Sequence, residues 1–314
     1  MGTLIVNPYL NSQPSSDFIL TIDSSKYNPA DQIILPIGTT GTYNYSVDWG
    51  DGTVENNITV GGNRSHIYAS GAGIYTITIS GKISTIEWWK SGDYRGVLSI
   101  TDLGAVGWDT LARSFENCWR MTEITNPGDT SNVTNFSQAW FYCSGLTSFP
   151  LLDSSNVTDF SGAWFYCYGL TSFPLLDSSN VTDFTNAWYY CSGLTSFPLL
   201  DSSKVTNFTN AWRGCSGLTS FPANFFDNWV GVPVDGCFRF TWSNCSSLTA
   251  QSVENILVSI DTSGVMAPTG SSLGNRYIEI SYNVNTGNLS SATLDAIDNL
   301  KEKNWEPFIN GALV

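Results

Sequence analysis

The sequence predicts a mainly β protein with a few helices: a small β-sandwich, then a solenoid of 24-residue coils, then an α/β cap. Three observations carry that expectation. Cys143, Cys167, Cys191 and Cys215 stand at a strict 24-residue interval within nearly identical text. Ahead of them, short runs of period-two alternation are broken by Gly-rich turns. Behind them, two segments carry apolar residues at helical spacing. The divisions drawn are an arm (1–16), the sandwich (17–98), the solenoid (99–249) and the cap (250–314).

The arm ends in Asn11-Ser-Gln-Pro-Ser-Ser16 and reads as an extended segment. It is either frayed or an anchor onto another subunit; both readings stand. The N-terminus has no basic region followed by an apolar stretch, so no secretory signal is expected. Gly2 resembles a myristoylation site, but Val6 stands where Ser or Thr is needed. No apolar run reaches membrane-spanning length. The expectation is a protein made in a cytoplasm that does not leave by the general secretory route.

Strands are expected at Phe18–Asp23, Gln32–Ile37, Tyr43–Trp49 and Gly73–Ser80. The string Trp49-Gly-Asp-Gly-Thr53, with His66-Ile-Tyr68 and Gly73-Ile-Tyr75 after it, resembles the PKD domain. That resemblance implies an immunoglobulin-like sandwich, a module common in surface proteins.

A 24-residue period is too short for helical hairpins and falls within the range of leucine-rich repeats. In each coil, Leu146, Phe149 and Leu151 are expected to point inward from a short strand. Val157, Phe160, Ala163, Trp164 and Cys167 are expected to fill the return limb. Ser148, Pro150 and Leu152 would then form an uncharged outer strand face. Flanking coils end at Cys118 and Cys245. At strand spacing, six coils would make a rod roughly 25–30 Å long. The pattern Cys-x-x-Leu-x-x-Phe…Asn-Val-Thr-x-Phe-x-x-Ala-Trp-x-x-Cys over about 100–250 resembles the BspA-like leucine-rich repeat, with Trp where that family usually has Phe or Met. The resemblance implies a surface protein concerned with adhesion.

Helices are expected over Leu248–Ile260 and Ser291–Lys303, with a strand from Tyr277 between them. This is the closing cap that a stacked array requires. The combination of front module, coils and cap resembles virion components encoded by tailed bacteriophages.

Composition narrows the function. The 12 Trp, 14 Tyr and 17 Phe supply the apolar surface that disordered chains lack. Only 13% of residues are charged, and the formal net charge is −14, which a polyphosphate backbone would repel. Nucleic acid is therefore not expected as a partner, nor is membrane insertion.

Each group of reactive residues has a plain structural reading beside a functional one. One thiol per coil fits a column of small buried hydrophobes better than a metal or disulfide set, although Cys237 falls out of phase. His66 could act as a base, but its place in the PKD-like pattern suits packing and hydrogen bonding. Asp129, Asp153, Asp177 and Asp201 recur, as do Asn135, Asp159, Asp183 and Asn207. These could bind calcium or form a glycosidase pair, or they could cap turns in every coil. Asp48 and Asp51 share the same alternatives. Asn-x-Thr triplets such as Asn132-Val-Thr and Asn156-Val-Thr follow from the repeat itself.

The candidate binding residues are the aromatic pairs Phe141-Tyr142, Phe165-Tyr166 and Tyr189-Tyr190, which give way to Arg213-Gly214. A column of amphipathic rings suits a sugar or protein ligand; the alternative is that the rings pack along the edge of the array. The expected function is a non-enzymatic virion surface protein of a bacteriophage, a capsid or tail decoration or a fibre-like adhesin. Its expected partners are other virion proteins through the arm, and host polysaccharide or protein. No cofactor or metal is expected, and a homo-oligomer is open. The rival readings are a bacterial cell-surface adhesin and a glycan-acting enzyme. Near-identical coils suit a repetitive ligand.

Overall fold

The computed structural model describes residues 16–91, 94–269 and 275–314. The expected arm lies outside them except for Ser16, and with it the expected docking onto other virion proteins.

Alternation decides which face each front strand buries. β1 (Phe18–Asp23) buries Phe18, Leu20 and Ile22. β2 (Gln32–Ile37) buries Ile33, Leu35 and Ile37, and β3 (Asn44–Asp48) buries Tyr45 and Val47. β4 (Val54–Ile58), β5 (Gly62–Ile67) and β6 (Ile74–Lys82) follow. After the single-turn α1 (Trp88–Ser91) come β7 (Val97–Asp102) and β8 (Glu123–Asn126). Six of these strands form one sheet in the order β4-β3-β6-β1-β7-β8, while β2 and β5 pair as a separate ribbon. The larger sheet is mixed, because β7 and β8 run parallel. Instead of two antiparallel sheets of similar size, the front of the chain has a broad sheet and a narrow ribbon whose buried side chains share one core.

The middle of the chain overturns the expected leucine-rich-repeat solenoid. Its coils should each contribute a strand, yet among the described residues none from 127 to 249 lies in a regular strand or helix. The sheets sit toward the two ends of the chain, so the β-rich class with few helices stands and the strand-built array does not. Proline is the physical reason. Pro150, Pro174 and Pro198 follow the inter-repeat rungs made by Thr147, Thr171 and Thr195, and proline has no N–H to extend a ladder. The chain folds back instead, with the Leu152 N–H on the Pro150 carbonyl at 3.1 Å. That tight turn also reverses the expected facing: Leu152, Leu176 and Leu200 are buried, while Leu175 and Leu199 are exposed and Leu151 is half-buried.

Each repeat is thus a chain of turns stacked on the next. In the aromatic limb, the N–H groups of Phe136, Gln138, Trp140 and Tyr142 donate to Asp159, Ser161, Ala163 and Phe165 of the following repeat. Residues between them close turns within the repeat, Ala139 onto Phe136 and Phe141 onto Gln138. Val157, Phe160, Ala163, Trp164 and Cys167 are fully buried, in the inward positions expected of them. Trp140, Trp164, Trp188, Trp212 and Trp242 form a continuous stack with ring centroids 5.5–5.6 Å apart.

The thiols lie beside this stack. All seven cysteines are free and buried. Cys143, Cys167, Cys191, Cys215 and Cys245 each donate Sγ–H to a carbonyl of the preceding repeat at 3.0–3.1 Å. Cys237 belongs to a different column: its carbonyl accepts from Phe208, as Asn207 accepts from Phe184. The last repeat is longer, with Cys245 30 residues after Cys215, which displaces Cys237 from the thiol phase.

At the C-terminal end, α2 (Ala250–Ser263) starts on Thr249, whose hydroxyl accepts the Ser252 N–H, and stops at left-handed Gly264. β9 (Tyr277–Ile280), α3 (Ser291–Glu302), β10 (Glu306–Ile309) and β11 (Ala312–Leu313) complete it. β9 bridges Trp242 at Ile280, so this end covers the last aromatic limb. Among the described residues, no helix is long and apolar enough to cross a membrane.

Candidate functional site

The aromatic limb sets out two columns of rings. Phe141, Phe165 and Tyr189 are half-buried and stack face to face, with centroids 4.5 and 4.4 Å apart and planes within 7°. Arg213 ends this column, its guanidinium 5.8 Å from the Tyr189 ring and 4.7 Å from that of Phe240. Tyr142, Tyr166 and Tyr190 form the second column, edge to face at 5.5 and 5.4 Å. The structure therefore brings all seven candidate residues together on one side of the stack.

Tyr168 joins them, 38% exposed and 5.2 Å from Tyr166, and sequence reasoning missed it. The available signal was a break in the repeat: Ser144, Ser192 and Ser216 occupy the equivalent positions. Among the described residues, the hydroxyls of Tyr142, Tyr166, Tyr168, Tyr189 and Tyr190 have no hydrogen-bond partner. Partial burial, then neighbouring tyrosines, push the Tyr166 and Tyr168 hydroxyls up from the ordinary phenol range.

The second column is also strained. Tyr142, Tyr166 and Tyr190 have φ of 61°, 60° and 57°, a left-handed backbone that bulky residues rarely adopt. The next repeat has Gly214 at this position, where a Cβ would meet the Tyr190 ring at 2.7 Å. Glycine thus ends the column where the last ring lies over the backbone.

Beside the first column lies a pocket of about 460 Å³. Phe141 and Phe165 line one part, and Gln138, Asp183, Asn186 and Asn207 supply polar groups. On another edge, Leu151, Leu175 and Leu199, with Asp153, Asp177 and Asp201, line a groove of about 620 Å³. This groove replaces the Ser148-Pro150-Leu152 face expected from the sequence, because Leu152 turns inward.

The repeated carboxylates hold turns. Oδ1 of Asp129, Asp153, Asp177 and Asp201 accepts the N–H two residues ahead at 2.8–3.1 Å. Asn135, Asp159, Asp183 and Asn207 do the same at 2.6–3.0 Å. Both columns form Asx-turns, which fix where the chain reverses. Among the described residues, no group of three or more His, Cys, Asp or Glu is placed to hold a metal ion. His66 contacts Asp51 at 2.8 Å and stacks on Trp49 at 4.8 Å, so it ties the Trp49 turn to β5. Partial burial pushes the Asp51 carboxyl up, but the His66 and Thr53 hydrogen bonds outweigh this and leave it lowered. Asp48 caps the same turn through the Gly50 N–H.

Comparison with family models, with curated proteins and with solved structures returns no match.

Proposed function

We propose that the protein is a non-enzymatic surface component of a bacteriophage virion, a decoration or fibre-like adhesin whose aromatic limb binds host glycan. The observation that carries the binding reading is the strained tyrosine column. A left-handed non-glycine residue costs roughly 1–2 kcal/mol, and strain of this kind concentrates at functional sites. Here the left-handed position belongs to the repeat's turn, since Asn117, Gly214 and Asn244 share it, but in three successive repeats it carries a tyrosine, at Tyr142, Tyr166 and Tyr190, which sets unpartnered hydroxyls on the surface. The regular aspartates favour binding over catalysis, because each is engaged in shaping its turn. The virion assignment draws on the resemblance of the repeat text and the Trp49–Thr53 motif to modules of surface and phage-encoded proteins.

Immunogold electron microscopy tests the assignment. Antibody to the protein is expected to label phage particles, and the labelled position separates decoration from fibre. Label on bacterial cells and none on particles would replace this reading with a cell-surface adhesin.

A further inference from the structure

We infer that the ligand is a neutral, hydroxyl-rich glycan chain running along the stack, and that the polar pocket beside the rings holds it rather than the ring faces. This inference rests on the glycan-binding reading above. Phe141, Phe165 and Tyr189 use their faces on one another, 4.4–4.5 Å apart, so no sugar fits between them. What they offer a ligand is their exposed edges and the pocket alongside.

The pocket's polar atoms suit hydroxyl groups. Asp183 Oδ1 accepts the Thr185 N–H at 2.7 Å, and its second oxygen has no partner among the described residues. Asn207 accepts from Thr209 through Oδ1, and its amide N–H groups have no partner among the described residues. The side chains of Gln138 and Asn186 have no partner among the described residues. Thr185 Oγ1 is buried in the lining without a hydrogen bond. A hydroxyl both donates and accepts, so it can answer a carboxylate acceptor and amide donors together.

Two features narrow the class. Asp183 in the pocket and a net charge of −14 disfavour anionic sugars. The lining comes from four successive repeats, through Gln138, Phe165, Asp183 and Asn207, which suits an extended chain better than a single sugar.

The repeat supplies substitutions that keep the fold. Asn135 and Asn207 already perform the Asp183 turn, so Asp183→Asn preserves the cap and removes the free carboxylate oxygen. Gly162 occupies the Asn186 position one repeat earlier, at the same left-handed φ, so Asn186→Gly removes only the amide. Asp177→Asn, outside the pocket, is the control.

The test is equilibrium binding to an array of linear glucose, mannose, galactose and N-acetylglucosamine oligosaccharides, with sialylated and sulfated oligosaccharides beside them. The wild-type protein is expected to bind neutral members. Asp183→Asn and Asn186→Gly are each expected to weaken binding roughly tenfold with unchanged melting, and Asp177→Asn to leave it unaltered. Binding that survives both pocket variants but is lost in Tyr142→Asn, a position outside the pocket lining, would overturn the pocket and leave the glycan reading in place. A preference for anionic members would also overturn the inference. Silence across the whole array would remove the glycan reading as well.

Discussion

The front sheet and the repeat stack are held together in opposite ways. In the front, backbone ladders do the organising: β1 pairs with β6 over six residues and lies between β6 and β7. Its partners are distant in sequence, and every strand is different. In the stack, the aromatic limb contributes four backbone rungs per repeat between turns and the opposite edge fewer, while side-chain columns of Trp, Phe, Val and Cys fill the interior. Contacts there run within a repeat or to the one next to it. The front should therefore respond to damage as one cooperative unit, and the stack as a series of nearest-neighbour interfaces.

The largest expected effect strikes the column. Trp164 lies between Trp140 and Trp188, stacked on both, and is fully buried. Trp164→Ala is expected to cost about 3–5 kcal/mol. Hydrogen exchange should show the lost protection centred on residues 136–190, with β1 and β6 retaining theirs. Equal loss in β1 would mean that the two regions fold as one unit.

Removing a whole repeat should do less than removing that one side chain. Deleting residues 168–191 joins equivalent positions and restores each rung, so circular dichroism should be unchanged and melting lowered by only a few degrees. Collapse of the shortened protein would show that the repeats are not interchangeable.

A smaller effect belongs to the front alone. Partial burial pushes the Asp23 carboxyl up, yet its bonds with Ser25 and Arg120 hold it below the usual range, as His66 and Thr53 do for Asp51. A carboxyl lowered in the folded state contributes stability that is present above its unfolded value, near 4, and lost as pH falls through the folded one. Calorimetry from pH 5 to pH 3 should show melting fall, and Asp51→Asn should flatten the slope. An unchanged slope would remove the Asp51–His66 pair from the account.

The two regions were also unequally legible in the sequence. The stack's inward set, from Val157 to Cys167, could be read because the period repeats the same signal. What the period could not reveal was backbone geometry: proline's missing N–H leaves no strand, and the turn at Pro150 exchanges the faces of Leu151 and Leu152. In the front, alternation marked β1, β2, β3 and β6. β5 (Gly-Asn-Arg-Ser-His-Ile) escaped because it is polar and gets its place from pairing with β2. For the candidate site, the ring pairs were visible as residues. Their strain, the flanking pocket and Tyr168 were not, since each depends on how one repeat lies on the next.

The smallest effect tests the strain directly. Tyr142 begins the second column, 38% exposed with φ at 61°, and among the described residues its ring–ring contacts are with Tyr166 and Tyr168. Asparagine tolerates the left-handed region, and Asn117 and Asn244 adopt it in the flanking repeats. Tyr142→Asn should therefore lie within about 0.5 kcal/mol of the wild type in urea denaturation, the range of ordinary surface changes. Tyr142→Val should cost about 1 kcal/mol more, because a β-branched residue fits that backbone poorly. The front has the reverse preference: Val47, in an extended strand, should tolerate Ile and resist Asn. If Asn and Val at position 142 were equally tolerated, the tyrosine column would carry no strain, and the case for a functional reason behind its placement would fall with it.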